Sequence, residues 1–190
     1  MRGGRDGYRA PVTAGAERPL LFLDVDGPLI PIGGGPPRDS GGWTAGADVT
    51  DQWDEPVNPL LSRLDPTHGA RLSRLGCELV WATTWMADAN EDVAPRIGLP
   101  ELPVVDWPDE DEEPPVRRLH WKTRGLVAWA AGRPFVWVDD EISDVDRAWV
   151  AANHPGPALL HRVDPRVGLT DSDFAAIERW LQRAGQASGR

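Results

Sequence analysis

The sequence predicts an α/β protein, a three-layer Rossmann-like arrangement in which one parallel sheet carries helices on both faces. Short, largely apolar runs at 20–23, 78–82, 135–138 and 158–160 alternate with segments of helical periodicity. Strands that alternate with helices pair in parallel through right-handed crossovers. The runs show little polar alternation, as strands covered on both faces should. With 190 residues and 41% hydrophobic content, the chain can bury one good core, and two would be cramped.

Residues 1–17 are rich in Gly and Arg, with no apolar core, and read as a disordered leader. One folded domain is expected over 18–184, with a flexible tail at 185–190. After the first strand, Gly27 and Pro28 break the chain, and a Gly/Pro-rich stretch to Pro59 holds Trp43 and Trp53. So long a connection in a compact domain reads as a flap over a site. Leu60 to Leu75 is broadly helical, split by Pro66 and Gly69. The 78–82 strand ends at Thr83 and Thr84, Met86 to Ile97 is helical with acidic residues early, and Val104-Val105 is a short strand. Asp109 to Glu113 is a solvated charge run. His120 to Ala131 is a helix, the 135–138 strand ends in Asp139 and Asp140, and a helix follows at Val145 to Ala152. Thr170 and Asp173 form a capping box that opens the last helix.

Three strand ends therefore carry polar groups, and in a parallel sheet all carboxyl ends lie on one edge. Asp24 and Asp26, one residue apart after the apolar run 20–23, repel each other unless a cation or a shared proton reconciles them. Among 20 basic residues, Lys122 is the single lysine. A lone lysine in a chain that otherwise uses arginine invites a chemical explanation.

The string Leu23-Asp24-Val25-Asp26-Gly27-Pro28-Leu29 resembles the first motif of the haloacid dehalogenase (HAD) superfamily, most of whose members are magnesium-dependent phosphohydrolases. Trp81-Ala82-Thr83-Thr84-Trp85, His120-Trp121-Lys122-Thr123 and Val138-Asp139-Asp140-Glu141 are similar to the later motifs, in order, over roughly Pro19 to Ala148. The wider run looks like the HAD family associated with RNA-repair proteins. The resemblance implies Asp24 as nucleophile and Asp26 as general acid/base, whose carboxyl would need a raised pKa. It implies Thr83, favoured over Thr84, as a phosphoryl hydrogen-bond donor, and Lys122 as the neutralising cation. Magnesium, a hard cation suited to oxygen ligands, is expected among Asp24, Asp26, Asp140 and Asp139. Of the last two, Asp140 is favoured as the direct ligand, with Asp139 and Asp144 in support. Thr84, Gly27 and Asp144 are expected near substrate. Haloalkanoate dehalogenases of the superfamily need neither metal nor second aspartate, so Asp26 points to phosphate.

Neither 27–59 nor 85–119 shows an extra domain, which implies a capless member with a flap after the first strand. Trp43 and Trp53 anchor that loop or stack on a base. The net charge of -10 disfavours nonspecific nucleic-acid or anionic-membrane binding and leaves a phosphorylated small molecule or a single macromolecular end as partner. One cysteine, Cys77, gives no disulfide framework, and no apolar run reaches membrane-spanning length, so a cytoplasmic location is expected. The competing readings are a nucleic-acid end-processing phosphatase in RNA repair and a non-catalytic HAD-fold binding domain. His68, His154 and His161 lack metal-ligand spacing.

Overall fold

The computed structural model describes residues 18–33, 58–107 and 118–187. The expected leader, most of the flap with Trp43 and Trp53, and the acidic run at 109–113 lie outside the described residues. Four strands, β1 (Leu20–Leu23), β2 (Glu78–Trp81), β3 (Phe135–Asp139) and β4 (Ala158–Arg162), form a parallel sheet of order β2-β1-β3-β4. β1 is central and wholly buried, which explains its uninterrupted apolar sequence.

Side chains alternate between the two faces with the period of the pleat. Leu21, Leu23, Trp81, Val136 and Val138 pack into one core with α1 (Thr67–Ser73), α2 (Ala94–Ile97) and α5 (Asp171–Ala187). Leu20, Phe22, Val80, Phe135 and Trp137 pack into the other with α3 (Lys122–Ala130) and α4 (Asp144–Asn153). Three layers result. From β1 the chain steps outward to β2 and then returns to place β3 on the other side of β1, so the connection direction reverses between β1 and β3. Ligands of open α/β sheets sit outside the carboxyl ends at such a reversal.

Three expectations are corrected. Val104-Val105 is no strand; Val104 makes one isolated bridge to Trp81. Pro103, which has no N–H to donate, limits the ladder there to the bonds Trp81 N–H to Pro103 O and Val105 N–H to Trp81 O. The 60–75 segment does split, into a 3-10 turn (Pro59–Arg63) and α1, but only at Pro66. Gly69 instead lies inside α1, where a Cβ would stand 1.8 Å from Ile97 O, so glycine lets α1 pack against the end of α2. Finally, α5 continues to Ala187, into the expected tail, after the capping box in which Thr170 N–H donates to Asp173 Oδ2 (2.8 Å).

Candidate active site at the carboxyl edge of the sheet

The buried end of β1 delivers Asp24, whose N–H still pairs with Val138 O at 3.1 Å. The chain then turns tightly: Leu29 and Ile30 N–H both donate to Val25 O, and Gly27 N–H donates to Ile30 O. Gly27 adopts φ +83°, which favours glycine. A Cβ at Gly27 would also lie 2.4 Å from Asp140 Oδ1, so its absence lets the Asp140 carboxylate close against the turn.

Lys122 opens α3, and its side chain reaches inward with only 3% of the residue exposed. Its Nζ donates to Asp24 Oδ2 (2.6 Å) and to Asp139 Oδ2 (2.8 Å), bridging the ends of β1 and β3. Further donors fix the orientation of both carboxylates. Asp24 Oδ1 accepts from Val25 N–H (2.8 Å), Asp139 Oδ1 from Glu141 N–H (2.8 Å), and Asp139 Oδ2 from Trp137 Nε1 (3.2 Å). Asp24, Asp139 and Asp140 each place a carboxylate oxygen within a group spanning no more than 4.8 Å.

Three carboxylates against one ammonium leave local negative charge in a partly dry site, which is unfavourable without a further cation. Burial pushes the Asp24 carboxyl up to about 7, against the pull of Lys122, and the Asp139 charge adds to the rise. Burial alone would lower Lys122, but Asp24 and Asp139 outweigh it and hold the amine above its ordinary range. Lys122 is an ammonium. Burial, with the charge of Asp139, also raises Asp140.

The other sequence-predicted residues take different places. Asp26 is half-buried and lies outside the three-carboxylate group; Trp85 Nε1 donates to its Oδ2 at 2.9 Å. Thr83 is fully buried at the end of β2, where its Oγ1 accepts from Trp85 N–H (3.3 Å), and Thr84 is exposed. Asp144 is exposed at the start of α4, 3.6 Å from Arg147 Nε, and stands apart from the three carboxylates.

Sequence reasoning missed Asp146. Fully buried, it accepts from His120 N–H (2.8 Å), Thr123 Oγ1 (2.7 Å), Ser143 N–H (2.9 Å) and Ser143 Oγ (2.5 Å). Residues on either side of Lys122 are thus tied to the cap of α4. Ser143-x-x-Asp146 is a capping-box pattern and was readable as such; its grip on 120–123 was not. Burial disfavours ionisation of Asp146, but the bonds from Ser143, Thr123 and His120 outweigh it and hold the carboxyl below its ordinary 3.8. Its stabilising contribution is therefore fully present above that value and is lost as pH falls through the lowered one. Asp146→Ala strands one buried and three half-buried donors and should destabilise the fold by about 3 kcal/mol, with a melting temperature lower by roughly 6–12 °C. Thermal melts at neutral and acid pH check this, because the gap to wild type should narrow once the wild-type carboxyl is protonated.

A family model described as the HAD domain in Swiss Army Knife RNA repair proteins matches residues 20–174. Neither the curated proteins nor the solved structures gave a match. Among the described residues, no helix is long and apolar enough to cross a membrane.

Proposed function

The chain belongs to the family of HAD domains found in Swiss Army Knife RNA repair proteins, and from that premise we propose that it is a magnesium-dependent phosphomonoesterase acting through an aspartyl-phosphate on Asp24. The observation that carries this reading is the buried bridge from Asp24 through Lys122 to Asp139, with the Asp140 carboxylate beside it.

The donor set fits a hard cation. It offers oxygen alone, and the glycine cradle at Gly27 admits Asp140 where any Cβ would exclude it. Asp24 and Asp140 are the direct ligands in this reading, because Asp139 is already engaged by Lys122, Trp137 and Glu141. When bound, magnesium supplies positive charge that offsets the phosphoryl oxygens.

The chain's own residues carry the rest. The Asp24 carboxylate attacks phosphorus, the P–O bond to the leaving group breaks, and Asp26 delivers a proton to the departing oxygen. Asp26, now a carboxylate, removes a proton from water as that water attacks phosphorus, which frees phosphate and restores Asp24. Trp85 fixes the Asp26 carboxyl through its indole N–H, which limits the orientations that the proton can be delivered from. Lys122 keeps Asp24 aligned and ionised for attack, while Thr83, fully buried at the neighbouring strand end, braces Trp85, whose indole holds Asp26.

With p-nitrophenyl phosphate as substrate, turnover should require added magnesium and vanish in excess chelator. Gly27→Ala should raise the magnesium concentration for half-maximal activity at least tenfold, because the methyl group evicts Asp140. Full activity in chelator would reject the metal, and a Gly27→Ala protein with unchanged magnesium dependence would reject Asp140 as ligand. The family's association with RNA repair supports a second reading, in which the phosphate sits on a nucleic-acid end. A net charge of -10 restricts that reading to recognition of a terminus rather than of a long polyanion. A purely binding role would give no chemical reason for burying Lys122 between two carboxylates.

A further inference from the structure

We propose that Trp121 and Trp107 form a stacking platform for a nucleobase attached to the phosphate that the site removes; the inference rests on the phosphohydrolase reading for where that phosphate lies. Trp121 is 45% exposed, and it is the single aromatic among the exposed large hydrophobic side chains of the described residues. A tryptophan this open keeps nearly half of its apolar surface in contact with solvent, where a flat ligand can cover it.

Its position relates it to the chemistry. The Trp121 ring centroid lies 5.5 Å from Lys122 Nζ, the same ammonium that contacts Asp24. Trp107 meets Trp121 edge to face, with centroids 4.8 Å apart and planes inclined by 72°. Trp107 in turn directs its Nε1 toward Thr83 O at 3.4 Å. The pair therefore extends from the Thr83 strand end to the lysine that faces Asp24. Trp121 also lies against His120, with ring centroids 5.7 Å apart and planes 29° from parallel. His120 is itself held, since Nδ1 accepts from Lys122 N–H (3.2 Å) and Nε2 lies 3.1 Å from Glu141 Oε2.

A supported, exposed indole beside a phosphate site suits a flat ring. Every nucleobase presents such a face, and stacking tolerates any base. The acidic chain disfavours tracking along a backbone, so a single nucleotide at the phosphate is the unit that this surface takes.

The test compares kcat/KM for nucleoside monophosphates with that for ribose phosphate, which carries the same phosphate and no base. Wild type should prefer the nucleotide at least tenfold, Trp121→Ala should reduce the preference to within about twofold of unity, and Trp121→Phe should retain part of it. If Trp121 only supported Lys122, Trp121→Ala would slow both substrates together and preserve the ratio, which would overturn the platform. A wild-type ratio near one would overturn it too. A phosphate-ended trinucleotide and its free mononucleotide, run side by side, separate an RNA end from a nucleotide as the source of the ring. Should wild type hydrolyse no phosphomonoester at all, the phosphohydrolase reading fails. Calorimetric titration of Asp24→Asn protein with nucleoside monophosphate and ribose phosphate then judges the platform alone, and equal affinities would overturn it.

Discussion

Asp24→Asn is expected to reduce turnover by at least on the order of 10⁴-fold, because an amide oxygen can neither attack phosphorus nor carry the intermediate. The fold should survive. Lys122 keeps Asp139 as a partner, and the substitution removes a carboxylate whose ionisation is opposed by burial. Because the folded carboxyl titrates near 7 and the unfolded one near 3.8, the metal-free native state binds the extra proton between those values. Wild-type stability from this group therefore falls as pH rises through that window. In chelator above pH 7, Asp24→Asn should melt at or above the wild-type temperature. A variant that turns over normally would remove Asp24 from the chemistry, and one that unfolds would make its role structural.

Lys122→Met is expected to damage both stability and rate. Removing the ammonium leaves two buried carboxylates without their partner, a loss that costs about 3–5 kcal/mol for a buried pair and lowers the melting temperature of a chain this size by roughly 6–20 °C. The folded amine titrates above its ordinary value of 10.5. Its contribution is thus fully present below that value and is lost only as pH rises through the raised one, so the effect should be complete at pH 7. Lys122→Arg separates charge from fit. The guanidinium is larger and planar, whereas the site holds a compact ammonium at 2.6 and 2.8 Å from two carboxylates on different strands. Both variants should lower kcat at least roughly tenfold, a loss of about 1.4 kcal/mol of transition-state stabilisation. Wild-type turnover by the arginine variant would show that charge alone suffices there.

Much of this was legible in the chain because it follows from local patterns. β1 and β3 announce themselves as uninterrupted apolar runs, and a parallel sheet sends the residues that follow them to one edge, which is why Asp24, Asp139 and Asp140 could be named together; Lys122 was named through the motif resemblance and as the single lysine. The assignment of the lysine to both Asp24 and Asp139 was not legible, since it depends on how deeply α3 seats its first turn. The same holds for Asp26, which Trp85 holds across 59 residues of sequence, and for Asp146, whose four hydrogen bonds converge from the start of α3 and the N-cap of α4. Val104 was misread because two β-branched residues suggest a strand even where a preceding proline leaves room for one bridge only. Trp121 looked like part of a lysine motif, and only its exposure beside Trp107 gives it a role of its own.

The claim on which everything else depends is that Asp24 becomes phosphorylated during turnover. Acid quenching of the enzyme within its first turnovers of p-nitrophenyl phosphate and magnesium, followed by peptide mass spectrometry, tests it directly. One added phosphoryl group is expected on the peptide that carries Asp24, absent from the Asp24→Asn protein and from samples held in chelator. A phosphoryl group on any other residue, or steady turnover with no labelled peptide at the earliest quench times and with Asp24→Asn still active, would contradict it.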